Sequence, residues 1–132
     1  MNPNPEFDDG ERWLAESCLK ERYGKIVATQ AADVELRLAP GDQKLTTCPT
    51  LYWEERGAAF VVAKVGKGRW RPMFFYPVEP AGEQYGAGRA EYDDLAECVT
   101  SVLRAQADHE KLRLGVGSGD TANDLEAGER RG

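Results

Sequence analysis

Reactive side chains are few in this chain, and none falls in a spacing that catalysis needs. Its one histidine, His109, sits among Asp108, Glu110 and Lys111. A Ser–His or Cys–His couple needs the imidazole within hydrogen-bond reach of a nucleophile. No spacing suggests one, so His109 is expected as a solvated residue near a helix end. Cys18, Cys48 and Cys98 are odd in number and widely spaced, with no CxxC pair. They imply neither a disulfide framework nor a zinc ligand set. Cys18 and Cys98 are expected as core thiols. Cys48, in Thr-Thr-Cys-Pro-Thr, is expected to be the most exposed of the three, with nothing local to lower its pKa.

Paired carboxylates occur at Asp8-Asp9, Glu54-Glu55 and Asp93-Asp94. General acid–base catalysis needs two carboxylates in different environments across a cleft. Neighbours on a strand point to opposite faces, which separates Glu54 from Glu55. The aspartates are better explained as helix starts. Gly66-Lys67-Gly68 lacks the GxxxxGK[ST] frame and no helix follows it, so it is expected as a hairpin turn. Gly115–Gly119 has no helix after it either. No catalytic residue, metal site or cofactor is therefore assigned.

What remains is a basic and aromatic stretch, Phe60–Tyr76, FVVAKVGKGRWRPMFFY. Between Leu51 and Pro77 there are five bases and two acids, in a chain whose net charge is −6. Lys64, Lys67, Arg69, Trp70 and Arg71 are the candidate binding residues. Aromatic and arginine side chains anchor protein interfaces. They also stack on bases and meet phosphates, but an acidic chain opposes the phosphate neutralisation that drives nucleic-acid binding. Alternation puts Trp70, Pro72, Phe74 and Tyr76 on one face of their strand and Arg69, Arg71, Met73 and Phe75 on the other. The bases and the tryptophan are thus expected to act apart. Pro72 cannot donate to a ladder, which predicts an edge or a bulge there.

The elements that position this stretch follow from periodicity. A chain of 132 residues fits one domain with a modest core. Asp8 and Glu11 have capping-box spacing before a helix over about 11–23, with Leu14 and Cys18 on its apolar face and Gly24 ending it. Lys25–Gln30 is β-branched at Ile26, Val27 and Thr29, so residues 26–38 are expected to form strand, as one bent strand or as two. Val34, Leu36 and Leu38 alternate with Glu35 and Arg37, the clearest half-buried strand pattern in the chain. Ala39-Pro40-Gly41-Asp42 reads as a turn with a positive φ at Gly41. A short return strand at 44–47 is expected to stop near Pro49, with further strands at 51–55, 60–65 and 69–76. Residues 91–111 carry the strongest helical period, through Tyr92, Leu95, Val99, Val102 and Leu103, with Glu91, Asp93 and Asp94 in the first turn.

The fold class predicted is α+β. An N-terminal helix precedes an antiparallel meander of four to five strands, and a long C-terminal helix packs on one face of a two-layer sandwich. The predicted core is Leu14, Cys18, Val34, Leu36, Leu38, Val61, Leu95, Val99, Val102 and Leu103, with several of Trp53, Phe60, Trp70 and Phe74. Residues 1–8 are expected to be a flexible arm, 9–112 a single domain, and 113–132, rich in Gly and small polar residues, a disordered tail. No apolar run approaches the ~18 residues of a membrane span, and the start has no signal-peptide pattern. A cytoplasmic, soluble protein-binding module is expected, with a protein partner or self-association. Nucleic-acid binding through 60–76 is the second reading. An enzyme with a carboxylate or Cys48 in a tryptophan-lined cleft is the third.

Overall fold

In the computed structural model, which describes residues 6–78 and 84–113, the chain opens with helix α1 (Asp9–Tyr23). Asp8 caps it: its carboxylate accepts from Glu11 N at 2.7 Å, while Glu11 Oε1 accepts from Asp8 N at 2.9 Å. That reciprocal pair is the capping box the spacing predicts. Gly24 ends the helix in the left-handed region, at φ 71°, with its N–H on the Lys20 carbonyl.

Five strands follow: β1 (Gln30–Leu36), β2 (Thr46–Glu55), β3 (Ala58–Gly66), β4 (Arg69–Phe75) and β5 (Gln84–Gly86). They form one antiparallel meander in chain order. Helix α2 (Leu95–Arg113) completes the α+β architecture. The β2–β3 turn is Arg56-Gly57, with φ 55° and 83°. Positive φ at both central residues is what a tight two-residue hairpin requires. The β3–β4 turn is Lys67-Gly68, and a register shift between Lys64 and Gly66 leaves Val65 as a bulge.

The register sorts the side chains onto two faces. Leu51, Trp53, Phe60, Val62, Lys64, Trp70, Pro72 and Phe74 share one, and all are buried. Trp53 stacks on Phe60 at 5.2 Å between ring centroids, and Phe74 stacks on Tyr85 at the same distance. Each fully buried large apolar side chain contributes roughly 1.5–3 kcal/mol, so this face is the main core. Lys64 bonds Glu11 of α1 across it, and Cys18 of α1 bonds Thr100 of α2, so α1 and the first turns of α2 lie here. The other face is only partly closed. Leu38, Leu36 and Val34 pack on Cys48, Ala63 and Val65 at one end. Tyr52, Val61 and Met73 lie side by side across β2, β3 and β4 and stay half-exposed.

Several expectations need correction. Ala15 and Leu19 are the fully buried residues of α1, while Leu14 and Cys18 are half-buried. A small residue at 15 lets the helix axis approach the sheet, which turns the apolar face by one position. Val34, Leu36, Leu38 and Val61 are likewise half-buried, because they belong to the uncovered face. The strands expected at 44–47 and 51–55 are one strand, Thr46–Glu55, running through Pro49. Pro49 pairs with Asp33 on the β1 side and precedes the first β2–β3 pair, Thr50–Ala63, so the β3 ladder does not need its missing N–H. Residues 25–29 are not a strand. Thr29 is pinned to α1, where its N and Oγ1 donate to Glu16 Oε2 at 3.0 and 2.7 Å and its hydroxyl accepts from Arg12 Nε at 3.0 Å. Gly41 is not in the positive-φ region. Asp42 closes that turn instead, its N donating to the Ala39 carbonyl and its carboxylate accepting from Ala39 N.

Helix α2 starts at Leu95, four residues later than the periodicity implies, because Tyr92 belongs to the sheet. Its N–H and carbonyl exchange bonds of 2.8 and 2.9 Å with Trp70 of β4. Asp94 then caps the helix by accepting from Glu97 N at 2.9 Å. Leu95, Val99, Val102 and Leu103 are buried as expected. The chain divides into two compact units, Met1–Val102 and Leu103–Gly132. The first contains α1, the sheet and the first two turns of α2. The described part of the second is the rest of α2, where His109 is half-buried and Arg113 pairs with Glu110 at 2.7 Å. The tail expected from residue 113 lies, but for Arg113, outside the described residues, as do residues 1–5 of the expected N-terminal arm. Among the described residues no helix is long and apolar enough to cross a membrane.

Candidate functional site

The five residues singled out on the hairpin separate into three environments. Lys64 and Trp70 stand opposite each other on β3 and β4 and face the helices. They are 5% and 7% exposed. Lys64 Nζ bonds Glu11 Oε1 at 2.8 Å and the Glu6 carbonyl at 3.3 Å, and lies 5.8 Å from the centre of the Phe7 ring. A buried ammonium needs such partners to offset its lost hydration. Lys64 thus ties α1 and the segment before it to the sheet. Trp70 and Lys64 offer nothing to an external ligand in this arrangement. Lys67 is exposed at the hairpin turn.

Arg69 and Arg71 emerge on the opposite face and share one carboxylate. Glu91 accepts from Arg69 Nη1 at 3.3 Å through one oxygen and from Arg71 Nη2 at 3.0 Å through the other. Arg71 also donates to the carbonyls of Arg37 and Leu38, at 3.3 and 3.2 Å. One guanidinium therefore fastens the β1–β2 loop to β4 and to the segment before α2. Its Nε is buried and has no hydrogen-bond partner among the described residues.

Pro72 organises the ground between them. Trp70 turns its N–H and carbonyl toward Tyr92. Two residues on, Pro72 points the same way and has no N–H to give. The next recorded pair on that side is Met73 with Gly86. Between Gly86 and Tyr92 the chain spans five residues, where β4 between Met73 and Trp70 spans two, so it bows away from the strand at Pro72. The proline thus sits at an interruption inside the sheet rather than on its edge, which is β5.

The bow opens a groove of about 730 Å³ between the β1–β2 loop and the segment after β5. Leu38, Pro40, Pro72 and Met73 give it an apolar lining, and Arg37, Arg71 and Arg89 supply its charges. Among the described residues that line it, none is acidic. Arg89 also lies over the Tyr92 ring at 4.6 Å and pairs with Glu97 at 3.1 Å. Arg37 makes no ion pair recorded among the described residues. A smaller hollow of about 220 Å³ lies beside β1, lined by Phe7, Arg12, Asp33 and neighbours.

Of the groove residues only Arg71 was among the candidates chosen from sequence. Arg37, Leu38 and Arg89 lie in segments far apart in the chain, and none stands in a local motif. The one signal that points to them is Pro72 in a strand followed by the glycine-containing stretch 86–90.

Groups suggested for covalent or acid–base chemistry lie elsewhere. Cys48 is fully buried under Val34, Leu36 and Leu38, against the expectation of an exposed thiol. Its position on β2 places it on the half of the open face that the β1–β2 loop covers. Burial pushes the Cys98 thiol up to about 12, and burial also raises Cys18. Glu54 is exposed and accepts from the Tyr52 hydroxyl. Desolvation and that bond push the phenol up to about 12. Glu55 pairs with Lys25 at 2.7 Å. Trp53 is buried in the aromatic stack. These groups do not share a cleft. Among the described residues no cluster of three or more His, Cys, Asp or Glu is placed to hold a metal.

In comparisons with known proteins, no family model, curated protein or solved structure matched the chain.

Proposed function

We propose that this protein is a small protein-binding module whose partner docks in the groove flanking Pro72. The observation that carries this reading is the groove itself. It is open, has apolar walls, and is framed by arginine side chains where Pro72 interrupts the pairing of β4 on its β5 side. Interfaces favour apolar centres with arginine anchors, and the half-exposed row Tyr52–Val61–Met73 continues the apolar surface from its floor. The nucleic-acid reading has less support. Stacking needs an exposed aromatic face, and Trp70 is turned into the core. The catalytic reading has less still, since Cys48, Glu54, Glu55 and Trp53 are dispersed.

The test is affinity capture from a lysate with wild-type protein and with Met73→Arg. That substitution fills the groove by bulk without removing positive charge. A protein captured by the wild type and lost with Met73→Arg, while circular dichroism is unchanged, supports the reading. Capture that is identical for both would overturn it.

A further inference from the structure

Resting on the groove reading, we propose that the partner's docking segment is an extended peptide bearing carboxylates between apolar residues. Charge complementarity carries the argument. The chain's net charge is −6, yet among the described residues the groove is lined by Arg37, Arg71 and Arg89 and by no acid. That sign is a local choice, not a reflection of composition.

The arginines are held in different ways, which suits them to different tasks. Arg71 is fixed by two loop carbonyls and by Glu91, so it is the groove's immobile, internally paired charge. Arg89 is braced over Tyr92, and among the described residues its ion pair is with Glu97, both side chains being more than half exposed. Exposed pairs of this kind are weak and exchange readily for another carboxylate. Arg37 has no recorded acidic partner among the described residues, and its backbone is positioned by Arg71. Two exchangeable guanidiniums at the rim and an apolar floor between them match alternating acidic and apolar side chains. A strand places successive side chains on opposite sides, which suits such a walled groove. Glu91 is the internal counter-charge: it already occupies Arg69 and Arg71 and lowers the positive field an incoming carboxylate meets.

The test uses three fluorescent peptides of equal length, alternating leucine with glutamate, glutamine or lysine, titrated by anisotropy against the full chain. The glutamate peptide is expected to bind best and to weaken with added salt. Arg37→Ala with Arg89→Ala is expected to weaken it about tenfold, the sum of two exposed charge pairs. Glu91→Gln is expected to strengthen it. Equal binding of the glutamine peptide, binding unaffected by salt, or an unchanged affinity in the double variant would each overturn the proposal. So would failure of all three peptides, or tighter arginine-dependent binding of a single-stranded oligonucleotide. If Met73→Arg still abolishes capture of a cellular partner after any of these peptide results, the groove reading stands and only its acidic chemistry falls.

Discussion

Lys64 shows how differently a residue reads alone and in place. In sequence it is one of five bases in a basic hairpin. In the fold it is 5% exposed and bonded to Glu11, which at the same time closes the capping box of α1. The alternation along β4 was visible, but the register that sets Lys64 opposite Trp70 depends on the Val65 bulge, and the partner of Lys64 lies 53 positions away with no local pattern to announce it. Removing Glu11 strands the Lys64 ammonium, whose side chain is 6% exposed, whereas removing the ammonium leaves a carboxylate that is 19% exposed and keeps its bond from Asp8 N. Glu11→Ala is therefore expected to cost about 3–5 kcal/mol in urea unfolding, and Lys64→Met much less. Equal losses would show that Lys64 is not desolvated as described. The cysteines make a second case. Cys98 was legible as a core thiol from its helical period. Cys48 was not, because Val34 and Leu36 of β1 and Leu38 after it, which close over it, come from a different segment of the chain. With Cys98 raised to about 12 by burial, its thiolate is scarce until the pH approaches that value. Iodoacetamide at pH 8 is expected to leave Cys98 and Cys48 unmodified in the native chain and to label all three cysteines in guanidinium. Rapid native labelling of Cys48 would contradict its burial.

At the scale of elements, the features written locally were legible and those written by pairing were not. Asp8, Glu11 and Gly24 signal the ends of α1 through caps, which involve neighbours only. The start of α2 was misplaced because Tyr92 fits the helical period yet gives its backbone to Trp70. The start of β1 was misplaced for a related reason. Ile26 and Val27 look like strand, but the chain there is governed by Thr29, which bonds Arg12 and Glu16 of α1. The Thr29 bond, above all, lowers the Glu16 pKa. Thr29 is buried, so its hydroxyl cannot exchange these partners for water. Thr29→Val keeps the shape and deletes the hydroxyl. It is expected to lower stability by about 1–3 kcal/mol, the range for leaving buried polar groups unsatisfied. Hydrogen exchange should then rise first in residues 27–32, since that anchor holds the first strand to the helix. Uniform acceleration across the sheet, or no destabilisation, would count against the anchor.

At the scale of the whole sheet, sequence left one question open: which face the helices cover. Both faces of β4 carry apolar groups, so alternation alone cannot choose. The structure decides through small differences repeated across strands. Leu51, Trp53, Phe60, Val62 and Phe74 are closed off, while Tyr52, Val61, Met73 and Phe75 remain half-exposed. The groove could not be read in advance because it arises where Pro72 interrupts the ladder and two distant loops meet. The layering makes a sharp contrast between neighbours in the chain. Leu51 and Tyr52 are adjacent on β2 but point to opposite layers. Leu51 is 1% exposed under the helices, so Leu51→Ala should cost about 2–5 kcal/mol through lost burial and a cavity. Tyr52 lies on the open face, so Tyr52→Ala should cost less than half as much although more atoms are removed. Urea denaturation of the two variants measures this directly. A larger loss for Tyr52 would mean that the open face is covered in solution, and the surface available to a partner would have to be sought elsewhere.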